Sequence, residues 1–198
     1  MFSINPIFEW TIEINSKMKM PGFLKGMEDW MKVMEERAAE LTKQLLVMKT
    51  PQSFLINLLM IAIIPAIGEE FIFRGCIQNI FTRWTKNIHW GIWISAIIFS
   101  AIHMQFYGFI PRMLLGALFG YLLVWGKSMW LPVLAHLINN GSAVILSYIY
   151  QLKGGSVEDA EIQSAQSWWV YVLSFLISVY LLWLFRTQAK RLYTHTYI

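Results

Sequence analysis

The chain has 198 residues, 57% hydrophobic and 14% charged, with a mean hydropathy of +0.48 and a formal net charge of +4. A soluble domain carries roughly 25% charged residues, so the composition excludes an ordinary soluble domain and fits a membrane protein. No Lys/Arg-rich run accompanies the modest positive charge, which excludes a nucleic-acid partner and leaves membrane lipid as the expected one.

From the N-terminus, Glu9 and Glu13 interrupt any apolar stretch, so the start does not read as a signal peptide. Met27, Met31, Met34, Ala38, Leu41, Leu45 and Met48 recur at alternating four- and three-residue spacing, with Glu28, Asp29, Lys32, Glu35, Glu36 and Lys43 on the other faces. That pattern predicts an amphipathic helix lying on a membrane surface or packed on a bundle, with a short coiled coil as the alternative.

Five apolar segments follow: Ser53–Ile67 continuing towards Trp84, Ile88–Phe109, Ile110–Trp125, Met129–Tyr150 and Trp168–Phe185. Each is near the roughly 20 residues that cross hydrocarbon, the third being short. Pro111 and Pro132 stand near helix starts, whereas Pro65 lies inside a span, three residues before Gly68, and predicts a kink. Cys76, the only cysteine, permits no internal disulfide and no Cys-ligated metal, and is expected to be small, apolar and buried. Trp84, Trp90, Trp125, Trp130, Tyr150, Trp168, Trp169 and Trp183 crowd the segment ends, as headgroup-level rings do. The polar stretch 154–167 reads as a loop. Arg83, Lys86, Lys127, Arg186, Lys190 and Arg191 would share one side of the membrane, and Arg112 and Lys153 the other, which puts the C-terminus in the cytoplasm. The expected fold is an all-α polytopic transmembrane bundle with an N-terminal amphipathic helix. It divides into residues 1–50, a motif-bearing core at 51–150, and a loop, last span and basic tail at 151–198.

Charged groups within the spans carry the functional argument. Glu69 and Glu70 interrupt an apolar helix, where each ionisable group costs at least about 2.5–3.5 kcal/mol and is expected to face inward with a partner. Arg74 lies one turn after Glu70 on the same face. Glu69 is rotated by about 100° and free to point elsewhere. Adjacent carboxylates disfavour joint ionisation, which suits a general base. His103 falls late in the second segment, and His136 and Asn140 share one helix face of the fourth. A carboxylate and an imidazole can hold and deprotonate water, while a second imidazole and an amide can stabilise an oxyanion. His89 and His195 read as interfacial or hydrogen-bonded histidines, and Asn139 as a helix-packing amide. Residue types and spacing alone leave open a hydrolase, a proton-coupled transporter using the same groups, and a non-catalytic scaffold.

Glu-Glu-x-x-x-Arg at 69–74, Phe-x-x-x-His at 99–103 and His-x-x-x-Asn at 136–140 resemble, in order and spacing, the three motifs of the CPBP intramembrane proteases. These include the type II CAAX prenyl endopeptidases and bacteriocin-processing proteins. The resemblance covers about residues 51–150. It implies a membrane-embedded peptidase acting on membrane-associated, including prenylated, peptide or protein substrates, in a bacterial cell membrane. Glu69 would activate water with the help of His103, Glu70 and Arg74 would orient and charge-balance the site, and His136 and Asn140 would form an oxyanion hole. The resemblance implies either no cofactor or a divalent metal such as zinc, for which Glu69, His103 and His136 would be the ligands. Members commonly have more spans, so the chain is expected to be a shortened form or a piece lacking N-terminal spans.

Overall fold

The computed structural model describes residues 21–155 and 168–194. The expectations for Glu9, Glu13 and His195, and for the loop beyond residue 155, lie outside those residues. The described chain is a polytopic helical bundle. After a single 3-10 turn at Gly22–Leu24 come α1 (Lys25–Leu46), α2 (Pro51–Thr85), α3 (Ile88–Ala101), α4 (Phe109–Gly126), α5 (Trp130–Leu152) and α6 (Trp168–Thr194). Of these, α2, α4 and α5 are long and apolar enough to cross a membrane, while Ile88–Ala101 and Phe175–Ala189 are shorter apolar helices. The expected Ile88–Phe109 segment is therefore corrected. Its helix stops at Ala101, the chain turns through Met104 at φ 56°, and Ser100 Oγ donates to the Phe109 carbonyl at 2.7 Å to pin the turn.

The start of α2 is fixed locally. Thr50 Oγ1 accepts the Ser53 N–H, Ser53 Oγ accepts the Thr50 N–H, and Pro51 occupies the first turn, where a missing N–H costs little. Inside α2, two π-helical segments, Leu58–Ile63 and Phe71–Ile77, flank the stretch Ile64–Glu70. The irregularity expected at Pro65 thus appears as a widened turn just before it. Proline has no N–H to offer the Ile61 carbonyl four residues earlier, and Asn140 Nδ2 from α5 donates to that carbonyl at 3.0 Å instead. At the second widened turn Ser95 Oγ of α3 donates to the Phe73 carbonyl at 2.9 Å. Both irregular turns are therefore tied to neighbouring helices, on either side of Glu69 and Glu70.

Close approach of α2, α3 and α4 depends on glycine. A Cβ on Gly91 would stand 2.0 Å from Thr82 Oγ1, 2.8 Å from the Gln78 carbonyl and 2.9 Å from the Thr82 nitrogen. Two of those atoms are backbone, so the α2–α3 hairpin has no slack there. Gly91→Ala is expected to cost about 1–3 kcal/mol or more by overpacking, visible as a lower melting temperature in detergent. A melt unchanged from the parent would contradict that packing.

Two expectations about faces are corrected. Cys76 is exposed, because it falls on the outer stripe of α2 with Ile72 and Ile80, which are 54% and 60% exposed. On α1, Met31, Met34 and Ala38 are half-buried as expected, but Leu41 and Leu45 are exposed. The helix ends at Leu46, so Met48 reaches the core from an extended strap and packs with Leu46 against Val144. Gln151 of α5 clamps that strap, accepting the Met48 N–H and donating to the Leu46 carbonyl, both at 2.8 Å. Glu35, expected on the outer face, turns inward and accepts the Tyr107 N–H at 2.8 Å, holding α1 against the turn between α3 and α4.

Candidate active site

Glu70 and Arg74 form a closed ionic unit where α2 meets α4 and α5. They are 0% and 1% exposed. Arg74 Nε lies 3.0 Å from Glu70 Oε2, and Nη1 donates to Oε1 at 3.1 Å. Nη2 donates to the Gly116 carbonyl of α4 at 2.8 Å. A Cβ on Gly116 would sit 3.1 Å from the Phe99 ring and 3.2 Å from that same Nη2, so glycine admits the guanidinium. The Phe99 and Phe119 rings flank it, 4.7 and 5.3 Å from Cζ, where ring faces favour a desolvated cation.

His136 of α5 joins this unit to the cavity. Its Nδ1 lies 2.8 Å from Glu70 Oε1 and its ring stacks on Phe119. On the other side, Nε2 is 3.2 Å from Asn140 Nδ2 and 3.9 Å from Glu69 Oε2. The Asn140 amide is oriented by two neighbours, since Ile61 O can only accept and Asn139 Nδ2 donates to Asn140 Oδ1 at 3.1 Å. Asn140 Nδ2 is thus a donor to Nε2, which assigns the His136 ring proton to Nδ1 and a lone pair to Nε2. His103 is set the same way. Its Nδ1 donates to the Phe99 carbonyl at 2.7 Å, leaving Nε2 as the free ring nitrogen.

Glu69, Phe99, His103, Arg112, His136, Asn139 and Asn140 line one cavity of about 270 Å³. The Glu69 side chain keeps 29% of its surface exposed, whereas Glu70 behind it has none. Adjacent carboxylates therefore stand in different settings, one locked by an arginine and a histidine and one facing the cavity. The structure brings Glu69, His103, His136 and Asn140 to that cavity and sets Glu70 and Arg74 behind it. Among the described residues no three His, Cys, Asp or Glu side chains are grouped to hold one metal ion. The Glu69, His103 and His136 set that zinc would need is not assembled.

Sequence reasoning missed two lining residues. Arg112 was assigned only to topology, although an ionisable group in the first turn of an apolar span is the same signal that marked Glu69 and Glu70. Asn139 is corrected from a helix-packing amide to a cavity residue that orients Asn140. His89 behaves as expected at a helix end, its Nδ1 lying 2.9 Å from the Tyr121 hydroxyl.

Residues 51–142, which hold every one of these groups, match the family model described as Rce1-like, type II CAAX prenyl endopeptidase. The uncharacterized protein YpbD of Bacillus subtilis (strain 168) is 27% identical over 86 residues, covering 41% of this chain and 41% of that protein. The match thus spans about two fifths of the length of this curated relative. No solved structure matches. The Rce1-like segment contains α2, α3, α4 and most of α5, the elements that build the cavity. Together with the three long apolar helices, this similarity supports an integral membrane protein.

Proposed function

We propose that this chain is an intramembrane endopeptidase that hydrolyses peptide bonds of membrane-associated substrates, prenylated CAAX-type proteins among them, with water activated by Glu69. The supporting observation is the contrast between the two carboxylates: Glu70 is buried against Arg74 and His136, while Glu69 faces a cavity that His103 and His136 also line. A water held by Glu69 and His103 Nε2 gives a proton to the Glu69 carboxylate as its oxygen attacks the substrate carbonyl. The tetrahedral oxyanion collapses, the C–N bond breaks, and the proton passes to the leaving amine. An acid and an amine result, and Glu69 returns ionised.

The proposed oxyanion role of His136 and Asn140 requires a change from their resting contact. At rest both Asn140 amide protons are committed, to Ile61 O and to His136 Nε2. The water's proton, handed from Glu69 Oε2 to Nε2 3.9 Å away before it goes on to the leaving amine, makes that atom a donor, and the Asn140 N–H facing it is released. Two donors then point at the cavity where negative charge develops. The C-terminus is proposed to be cytoplasmic, as basic-residue placement suggests, and the membrane a bacterial one, as for the similar Bacillus subtilis protein.

The test is cleavage of a quenched-fluorescent peptide library, prenylated CAAX peptides included, by purified protein in detergent, with and without a zinc chelator. Glu69→Gln is expected to lower kcat/KM by about 10²–10⁴, with the melting temperature held, since Glu69 is not part of the buried ion pair. Equal cleavage by parent and Glu69→Gln would reject the glutamate-activated mechanism.

A further inference from the structure

Arg112 is not used by the reaction above, and its setting is unusual. It lies in the first turn of α4, an apolar helix long enough to cross a membrane, and lines the same cavity as Glu69 and His136. Its Nη2 donates to Gln105 Oε1, a neutral acceptor, while Nη1 is buried with no hydrogen-bond partner. A Cβ on Gly108 would stand 3.1 Å from Nη2 and 3.4 Å from Nη1, so the backbone leaves the guanidinium its room. The contrast with Arg74 is informative. Arg74 has a carboxylate, a carbonyl and two ring faces, whereas Arg112 meets no carboxylate at ion-pair distance among the described residues. Glu35 and Glu69 act on this guanidinium only from beyond ion-pair distance, so at the end of an apolar span and beside an open cavity it can take a carboxylate in direct contact.

We propose that Arg112 is a specificity residue of the site and takes up a carboxylate carried by the substrate on one side of the scissile bond. The carboxylate is either the free C-terminus of the peptide or an Asp or Glu side chain. Its two oxygens match the paired Nη donors, and Gln105 is the neutral placeholder they displace. The inference rests on the peptidase reading for its substrate class, and on Arg112, Gln105 and Gly108 for its chemistry. It concerns binding rather than bond cleavage, so its signature is in KM.

The test compares the full-length parent with Arg112→Gln and Arg112→Lys on one peptide library made in matched forms. The forms are free acid or C-terminal amide, with Asp and Glu present or replaced by Asn and Gln. The parent is expected to cleave carboxylate-bearing peptides about 10- to 100-fold more efficiently, the range of one hydrogen-bonded charge. Arg112→Gln is expected to erase that ratio through KM, and Arg112→Lys to restore part of it. Which form loses its advantage identifies the carboxylate. A ratio unchanged in Arg112→Gln, or equal slowing of every form, overturns the proposal; equal slowing would mean that Arg112 only sets the charge of Glu69.

A second arm separates this inference from the peptidase reading. Immobilised Glu69→Gln protein, with and without Arg112→Gln, is used to capture the same library, and bound peptides are read by mass spectrometry. Arg112-dependent enrichment of carboxylate forms supports the carboxylate site even if the parent cleaves nothing, an outcome that removes the peptidase reading alone. Cleavage without such enrichment removes the carboxylate site alone.

Discussion

Arg74→Met is expected to lower stability by about 3–5 kcal/mol, the range for removing one partner of a buried ion pair. Glu70 would remain at 0% exposure with His136 as its one close partner, and the Gly116 carbonyl would lose its donor. The Phe99 and Phe119 rings would face a thioether instead of a cation. Because the loss comes from an unpaired charge rather than from missing volume, Glu70→Gln/Arg74→Met should recover more than half of it. Thermal unfolding in detergent, followed by tryptophan fluorescence, measures both. If the single variant melts with the parent, or the double variant melts lower than the single, the pair does not hold the bundle as described.

His136→Phe separates chemistry from packing. Phenylalanine keeps the stack on Phe119, whose centroid lies 5.2 Å away, and the edge contact with Phe99 at 6.0 Å. It removes the Nδ1 donor to Glu70 and the Nε2 acceptor beside Asn140 and Glu69. Stability should fall by about 1.5–3 kcal/mol, the worth of one hydrogen bond to a charged group. Peptidase activity should fall by about 10²–10⁴ in kcat. The loss in rate should therefore exceed anything the melt explains. Activity within threefold of the parent would show that His136 is a structural partner of Glu70 and no part of the reaction.

The pairing of Glu70 with Arg74 was legible in the sequence because helix geometry puts residues four apart on one face, and membrane depth forces a charge to find a partner. The His136–Asn140 adjacency followed from the same spacing. What spacing did not carry was the split in their donors. That Asn140 serves Ile61 depends on a π-helical turn near Pro65, and π turns have no periodic signature. Arg112 stayed hidden because residue type alone does not distinguish a snorkelling arginine at a span end from one aimed into a cavity. Glu35 was assigned to the wrong face because its partner, the Tyr107 N–H, exists only once α3 ends early and exposes backbone.

That early end has a consequence for the lipid around the protein. A 14-residue helix rises about 21 Å, against roughly 30 Å of hydrocarbon. The bilayer beside α3 must thin, or headgroups and water must descend to the turn that carries His103. Such mismatch costs only fractions of a kcal/mol per Å. On the proposed peptidase reading, a peptide reaching Glu69 from that side would meet a dimple in the membrane and not its full thickness, and the hydrolytic water would arrive by the same depression.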